Sequence, residues 1–198
     1  MKILKNVLKI LFVLVVIILL SSWLISRNLQ PVYSGNLTLN SLSKEVEVYY
    51  DDYGIPHIYA QNELDARRAM GYVHAQDRLW QMELIRRIAA GRLSELFGEK
   101  LLRNDKFFSS LGIEEAAEET IKNLDTNSEA YKLAMAYLDG VNQFINEGPT
   151  PVEFYLVGLE KEEYTLKDVY NVIGYMGFSF AIAHKTEPVL TERKEKFG

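Results

Sequence analysis

The stretch Asp65–Gly98, DARRAMGYVHAQDRLWQMELIRRIAAGRLSELFG, is the longest part of the chain with helical periodicity. Its apolar residues recur in alternating steps of three and four, which places them on one stripe of a helix. The stripe consists of Met70, Val73, Trp80, Leu84 and Ile88. Asp77 falls on the same stripe, and His74 and Arg78 flank it. Unpaired buried polar groups cost about 1–3 kcal/mol each, so we predict a helix buried on most sides whose Asp77 and Arg78 reach partners elsewhere.

The composition limits the classes of function. The chain has 198 residues, enough for one domain with its own core, and 48% of them are hydrophobic. It contains no cysteine, which excludes disulfides, a thiolate nucleophile and a bacterial lipoprotein anchor. His57, His74 and His184 lie far apart and lack metal-ligand spacing. Residues 1–27 hold four of the 22 basic residues and none of the 27 acidic ones, which leaves the remainder with a formal net charge of −9. So acidic a surface argues against nucleic acid as a partner.

Residues 1–27 have the pattern of an export signal. Three lysines precede the apolar run Ile10–Ile25, which is longer than most signal-peptide cores and shorter than the roughly 20 residues of a comfortable membrane span. No A-x-A cleavage site follows, and Trp23 suits a membrane interface. We therefore predict a membrane anchor through residues 10–25, with the rest facing the periplasm or exterior. Cleavage of the signal, giving a periplasmic or secreted protein, is the alternative.

A linker and a β-hairpin follow. Residues 28–44 are polar and predict a linker with a short strand at Leu37–Leu39. Glu45–Asp51 alternates between apolar and polar residues, as a half-buried strand does. The turn residues Asp51–Gly54 then lead to a second strand, Ile55–Ala60, and together these segments predict a hairpin.

The rest of the chain is mostly helical, which predicts an α+β domain over residues 45–198. Asn62 is a good N-cap for the long helix, which we expect Gly91 to interrupt and Gly98 to end. The apolar segment Glu153–Leu159 predicts a link or a short strand. A near capping box formed by Thr165 and Asp168 opens the last predicted helix. The later helices are predicted at Leu101–Leu111, Ile113–Leu124, Ser128–Asn146 and Leu166 to about Ala183.

Several stretches, in order, resemble the penicillin acylase family of N-terminal-nucleophile hydrolases, also called penicillin amidases. The resemblance covers residues 45–198. The matching stretches are Asp52–Ile58 (DYGIPHI), Asp65-Ala66, Gly71–Glu83 (GYVHAQDRLWQME), Arg86-Arg87, Ala90–Gly98 (AGRLSELFG), Pro151–Phe154 and Leu156–Gly158. Any one of them alone is weak, and their shared order makes the resemblance specific.

The resemblance implies a four-layer αββα sandwich whose α and β subunits are cut from one zymogen precursor. It implies a serine nucleophile at the new N-terminus of the β subunit, with its own α-amino group as base. An asparagine and backbone N–H groups farther along that subunit would hold the oxyanion. The chain stops at Gly198, near where an α subunit would end. We therefore expect no catalytic residue within these 198 residues and a β subunit as partner.

The resemblance also assigns a substrate-binding role to the last predicted helix. The family places a methionine and, four residues later, an aromatic residue on this helix, and Met176 and Phe180 keep that spacing. The residue before the aromatic is often arginine in penicillin G acylases, and here it is Ser179. This departure weakens penicillin G as the expected substrate.

Other matching residues have structural or metal-binding roles in the family. Asp77 and Arg78 would brace the interface between the subunits, and His74 beside them is expected to be a hydrogen-bonded structural histidine. A glutamate about one turn past the last helix binds calcium in some members. Glu187 is the nearest match, one position out of register. No organic cofactor is implied.

These features predict the α-subunit portion of an enzyme that hydrolyses linear N-acyl amides, such as penicillins, cephalosporins or acyl-homoserine lactones. The alternative is a non-catalytic, membrane-anchored helical module that binds an acyl ligand or a protein, or a truncated relic of such an enzyme. A reading frame that continues past Gly198 into a spacer and a serine-led segment would favour the enzyme.

Overall fold

The computed structural model describes residues 2–181 and 183–197 and is mostly helical. A long helix, α1 (Lys2–Asn28), precedes a hairpin of two antiparallel strands, β1 (Glu47–Tyr50) and β2 (Pro56–Tyr59), in which Val48 pairs with Ile58. The other elements are α2 (Glu63–Ala89), α3 (Ser94–Phe97), a 3-10 turn (Glu99–Leu101), α4 (Leu102–Ser110), α5 (Ile113–Lys122), α6 (Glu129–Glu147), α7 (Val152–Val157), α8 (Leu166–Phe180) and α9 (Ala183–Phe197). The predicted hairpin and the mostly helical fold are confirmed.

Helices α2, α6 and α8 begin at side-chain caps, of which the sequence analysis predicted those of α2 and α8. The Asn62 side chain accepts a hydrogen bond from the Asp65 backbone N–H at 2.9 Å and opens α2. Ser128 caps α6 in the same way through the Tyr131 N–H. Thr165 and Asp168 bond reciprocally and open α8. Each cap satisfies backbone donors that the first helical turn leaves without partners.

Helices α2 and α6 cross so closely that their backbones touch. A Cβ atom on Gly71 would collide with the Tyr137 carbonyl oxygen, and one on Gly140 would collide with the Arg68 carbonyl oxygen. The two glycines therefore permit this crossing. The core gathers along it and contains Ala75, Leu79, Met82, Leu138, Val141, Phe144, Ile145, Phe154 and Tyr164.

The predicted apolar stripe of α2 is only partly correct: Val73 is buried and Trp80 packs against the core, but the other three residues do not belong to it. Met70 is 42% exposed, and Leu84 and Ile88 are only partly buried, whereas Leu79 and Met82 face the core. The buried side of α2 carries small residues where α6 approaches most closely. The periodicity of large apolar residues does not reveal such a contact, because alanine and glycine contribute little to the hydrophobic pattern.

Two further predictions have different outcomes. Gly91, with a left-handed φ of 67°, interrupts the long helix as predicted, so that α2 ends at Ala89, and Gly98 caps the end of the short helix α3 that follows. The strand predicted within the linker is the one that is wrong. No strand forms at Leu37–Leu39 in the part of the chain that the structure describes. There the backbone around Thr38 pairs with a side-chain amide instead of a strand: Gln143 donates to the Thr38 carbonyl and accepts from the Asn40 N–H.

The segment predicted as a link or strand at Glu153–Leu159 contains helix α7 instead. Pro151 precedes the helix, a position where its missing N–H is tolerated. Phe154 is buried against Trp80, with 5.5 Å between the ring centroids. This packing fixes a helical turn that the apolar pattern alone could not distinguish from a strand.

The two ends of the chain are helical. Helix α8 ends at Phe180, short of the predicted end near Ala183, and Ile182 lies outside the described residues, as does the His184 side chain. Helix α9 was not predicted. The Lys5–Leu24 part of α1 is 20 residues long with a mean hydropathy of 2.8, and none of it is buried. It is therefore long and apolar enough to cross a membrane.

Candidate functional site

A cavity of about 420 Å³ lies between α2, α6 and α8. Its wall is mainly apolar, and a few polar side chains from α2, α6 and the segment just before α8 converge on it. The apolar lining comes from Met82, Ile85, Val169, Val172 and Ile173, and the polar lining from His74, Arg78, Gln81, Tyr137 and Tyr164. An apolar hollow with a few placed polar groups is the usual form of a binding site.

The cavity borders a kink in α2. Arg78 has φ −135° and ψ 15°, outside the helical range, so the helix changes direction there. Its side chain is exposed and makes no hydrogen bond or ion pair with the residues that the structure describes. Asp77 accepts a bond from the Tyr33 hydroxyl at 3.3 Å, and burial raises the pKa of this carboxyl. The kink thus places at the edge of the cavity a cation that feels the charge of Asp77 but forms no ion pair within 4 Å among the described residues.

His74 and Tyr137 form a hydrogen-bonded pair across α2 and α6. The His74 Nδ1 lies 2.7 Å from the Tyr137 hydroxyl oxygen. Desolvation, with a smaller contribution from the Arg78 charge, lowers the pKa of His74. Burial raises the pKa of Tyr137 to about 12. Both groups are therefore neutral near pH 7, and the pair links α2 to α6.

Tyr164 contributes a hydroxyl with an unmet hydrogen bond. The Arg86 guanidinium stacks on its ring at 4.5 Å, and the residue is only 5% exposed. Its hydroxyl is buried and has no hydrogen-bond partner in the part of the chain that the structure describes. Burial also raises its pKa strongly. A buried neutral hydroxyl of this kind calls for a partner from outside the described residues.

Met176 and Phe180 lie on α8 beyond the cavity. They are one helical turn apart and are 38% and 76% exposed. Val172 and Ile173, which line the cavity, precede Met176 by about one turn and Phe180 by about two turns on the same helix. The apolar wall of the cavity therefore continues along α8 as a surface open to solvent.

Glu187 lies on α9 and is exposed. Within residues 2–181 and 183–197, no group of three or more histidine, aspartate or glutamate side chains could hold a metal ion. Calcium takes 6–8 oxygen ligands, so these residues alone do not make a calcium site. A calcium ion at Glu187 stays a prediction that would need ligands from elsewhere.

A buried charged cluster on α2 was not predicted as such. Glu83, 1% exposed, forms ion pairs with both Arg86, at 2.6 Å, and Arg87. Arg87 also pairs with Glu95 at 2.6 Å. The spacing of three and four residues between Glu83 and the arginines was the available signal. It was missed because the predicted stripe placed the buried side of α2 elsewhere.

A second buried carboxylate, Asp65, ties the N-terminal part of the chain to α2. It accepts bonds from the Ser43 hydroxyl at 2.6 Å, the Lys44 N–H at 3.1 Å and the Asn62 side chain. These bonds, the Ser43 hydroxyl first among them, lower its pKa to about 2. The role of Asp65 is therefore structural.

Comparison with known proteins places this geometry in context. The family model described as penicillin amidase matches residues 45–198. The chain is 45% identical over 133 residues to penicillin acylase 2 proenzyme of Pseudomonas sp. strain SE83, an alignment that covers 67% of this chain and 17% of that protein. It is 31% identical over 166 residues to penicillin G acylase of Escherichia coli, with 79% and 19% covered.

Two further likenesses extend the comparison. The chain is 29% identical over 181 residues to the acyl-homoserine lactone acylase QuiP of Pseudomonas aeruginosa, with 89% of this chain and 21% of that protein covered. A solved structure of a thermostable penicillin G acylase from Alcaligenes faecalis superposes with a TM-score of 0.62 at 25% identity, covering 76% of this chain and 82% of that one. The chain thus spans about a fifth of the length of the curated relatives it matches.

Proposed function

The chain belongs to the penicillin amidase family, and we propose that it is the helical α-subunit portion of an enzyme that hydrolyses N-acyl amides. The observation that carries this proposal is the difference between two coverages. The chain covers 82% of one solved acylase chain but only 17–21% of the curated relatives, one of which is named a proenzyme. This difference supports one subunit of a processed precursor.

The chemistry would then come from the rest of the precursor. In the family mechanism, a serine hydroxyl attacks the amide carbonyl while the α-amino group of that serine takes the proton. Hydrogen-bond donors stabilise the oxyanion, and the amine leaves before water releases the acid. We assign no catalytic residue to this chain. We assign Met176 and Phe180 to the acyl side of the substrate, because both present apolar surface on α8.

We further propose that the β subunit covers the cavity and the exposed face of α8, completing an αββα sandwich. Three features support this. Arg78 forms no hydrogen bond or ion pair with the described residues, the Tyr164 hydroxyl lacks a hydrogen-bond partner there, and the apolar wall runs on to the exposed Phe180. Asp77, Arg78 and His74 would support this junction as structural residues.

For location, we propose that α1 anchors the enzyme in a membrane with the remainder on the periplasmic or outer side. The exposed, apolar Lys5–Leu24 segment supports an anchor. Its lysine-rich start supports retention of the N-terminus in the cytoplasm. Removal of α1 as a signal peptide would give the same enzyme in soluble form.

The experiment is expression of the complete gene, followed by assay of the purified protein. The substrates are phenylacetyl, glutaryl and long-chain acyl amides, including acyl-homoserine lactones, and the readout is release of free acid. We expect cleavage of the precursor and turnover of at least one class, with none by the 198-residue chain alone. Turnover by that chain alone, or none by the processed protein, would overturn the proposal.

A further inference from the structure

We propose that α7 rests on the surface of the bilayer that holds α1, so that the folded body is docked against the membrane in one orientation. The proposal depends on the membrane anchor proposed above but not on amide hydrolysis. It begins with residues 28–44, which the sequence suggested to be a linker. In the structure they are bound to the folded body at several points.

The first of these points comes directly after α1. The Val32 N–H donates to the Gln76 side-chain oxygen at 3.1 Å, and the Tyr33 hydroxyl donates to Asp77 at 3.3 Å. The Tyr33 ring also packs edge-on against Tyr50, with 4.8 Å between centroids. Helix α1 ends at Asn28, so the chain from there to Val32 spans at most about 14 Å. The body has little freedom to move away from the end of the anchor.

The same segment fixes which side of the body lies next to the anchor. Leu29 and Pro31 line a cleft of about 220 Å³ together with Pro149, Pro151 and Val152. Val152 is the first residue of α7. Helix α7 therefore begins beside the point where α1 ends.

The outer side of α7 is apolar. Phe154 points into the core, but Tyr155 and Leu156 are 69% and 79% exposed, and Val152 is 48% exposed. Tyrosine suits the boundary between lipid and water because its ring is apolar and its hydroxyl can stay hydrated. An exposed tyrosine and leucine beside a membrane anchor are the pair expected of a segment that touches the bilayer.

Two residues near the end of α1 indicate where the lipid–water interface crosses the anchor. Trp23 and Arg27 lie in the last turns of α1, with the Arg27 guanidinium 5.0 Å from the Trp23 ring centroid. Tryptophan and arginine at a helix end mark the lipid–water interface. Since α7 begins within a few residues of this level, Tyr155 and Leu156 can reach the headgroup region.

The charges near α7 favour a neutral lipid surface. Glu153 is the one charged residue within α7, and the segment that follows holds Glu160, Glu162 and Glu163 as well as Lys161. This acidic neighbourhood would be repelled by anionic headgroups. The contact we propose is therefore hydrophobic and does not depend on anionic lipid.

The test uses the absence of cysteine from the chain. An environment-sensitive fluorophore is attached through the substitution Leu156→Cys in the full chain, reconstituted into phosphatidylcholine vesicles that contain doxyl-labelled lipid. Ala130, exposed in the first turn of α6, is the water-side control position, since it lies about 25 Å along that helix from the end next to α7. Leu20, within α1, is the lipid control position.

We expect the probe at Leu156 to be quenched by doxyl lipid severalfold more strongly than the probe at Ala130, and its emission to shift to shorter wavelength. A probe at Tyr155 should behave likewise. Quenching at Leu20 but not at Leu156 or Tyr155 would overturn the docking of α7 while leaving the anchor intact. No quenching at Leu20 would overturn the anchor itself. A probe at Leu156 that is shielded from water yet unquenched would mean that protein, not lipid, covers α7.

Discussion

The α2–α6 pair and the region around α8 differ in how fully their buried polar groups are paired and in how much apolar surface they expose. Along α2, Glu83 is buried with both of its arginine partners, and the backbones of α2 and α6 touch at two glycines. Beside and along α8, the Tyr164 hydroxyl and the Asn171 side-chain oxygen are buried without hydrogen-bond partners among the described residues. Phe180 is largely exposed on the same helix.

The contrast distinguishes a region whose packing lies mostly within the chain from a region that leaves a buried hydroxyl unpaired among the described residues and apolar side chains exposed. Buried polar groups in folded proteins are nearly always paired, so unpaired ones mark a place where further protein or ligand is expected. In the α2–α6 region one buried atom, Arg68 Nε, lacks a hydrogen-bond partner among the described residues, although the rest of that guanidinium pairs with Asp65 and Asp139. The α8 region has the features of a surface made for a partner, which is how we interpret it above.

The largest expected effect comes from breaking the charged cluster on α2. Glu83→Ala leaves Arg86 and Arg87 buried without their carboxylate, which should lower the free energy of unfolding by about 3–5 kcal/mol. Chemical denaturation of the full-length protein measures it. Glu63→Ala is the control, because the exposed Glu63–Arg67 pair should contribute about 0–1 kcal/mol. Equal losses in the two variants would show that the cluster does not stabilise the fold.

The next largest effect comes from replacing one glycine in each region with alanine. Gly140→Ala forces a Cβ against the Arg68 carbonyl and should destabilise the protein by about 1–3 kcal/mol. A Cβ on Gly177 of α8 would meet no atom of another element within 4 Å. In the chain without a partner, Gly177→Ala should therefore stabilise α8 by about 0.5–1 kcal/mol, because alanine favours a helix more than glycine does. Differential scanning calorimetry would show opposite shifts in Tm. A lowered Tm for Gly177→Ala in the full-length protein alone would reveal that a partner packs closely there.

Acid should weaken the contact between Asp65 and the segment before the hairpin. The pKa of Asp65 is about 2 in the fold and 3.8 for an ordinary aspartate. Its stabilising contribution is therefore complete above about pH 4 and lost as the pH falls towards 2. Asp65→Asn should remove this part of the pH dependence. The measurement is the denaturant midpoint of unfolding, followed from about pH 5 to about pH 2. An unchanged profile would contradict the role given to Asp65, and Asp52→Asn in the exposed turn is the control.

Local signals in the sequence predicted local structure correctly. Asn62 and the Thr165–Asp168 pair opened helices where expected, because a cap acts within one turn. The hairpin followed from strand alternation and the turn residues Asp51–Gly54. These signals need no knowledge of what packs against them.

Features decided by distant contacts were predicted poorly. The buried side of α2 depends on α6 approaching at Gly71, and the helical form of α7 depends on Phe154 packing against Trp80. The segment before the hairpin is held by Gln143, which is more than 100 residues away. The cavity could not be predicted either, since residues from three helices form it. Met176 and Phe180 were proposed from the family resemblance, and their pocket role stays a prediction.

The smallest expected effect on stability lies on α8. Phe180 is exposed, so Phe180→Ala should change the free energy of unfolding by no more than about 0.5 kcal/mol. In the processed enzyme it should alter kcat/KM between acyl chain lengths about tens-fold, because apolar pockets discriminate by about 1–3 kcal/mol per methylene. Asp77→Ala should do the reverse, lowering the yield of soluble enzyme without changing chain-length preference. Equal loss of solubility in both variants, with unchanged preference, would make Phe180 a core residue.

The most direct test of the contrast is hydrogen exchange of backbone amides, compared between the 198-residue chain and the product of the complete gene. Amides of α2 and α6 should be protected in both, because their contacts lie within the chain. Amides of α8 should exchange quickly in the chain alone and become protected in the complete protein, as a partner covers that face. If α8 were equally protected in both, its face would already be complete, and the assignment of this chain to one part of a larger acylase would be contradicted.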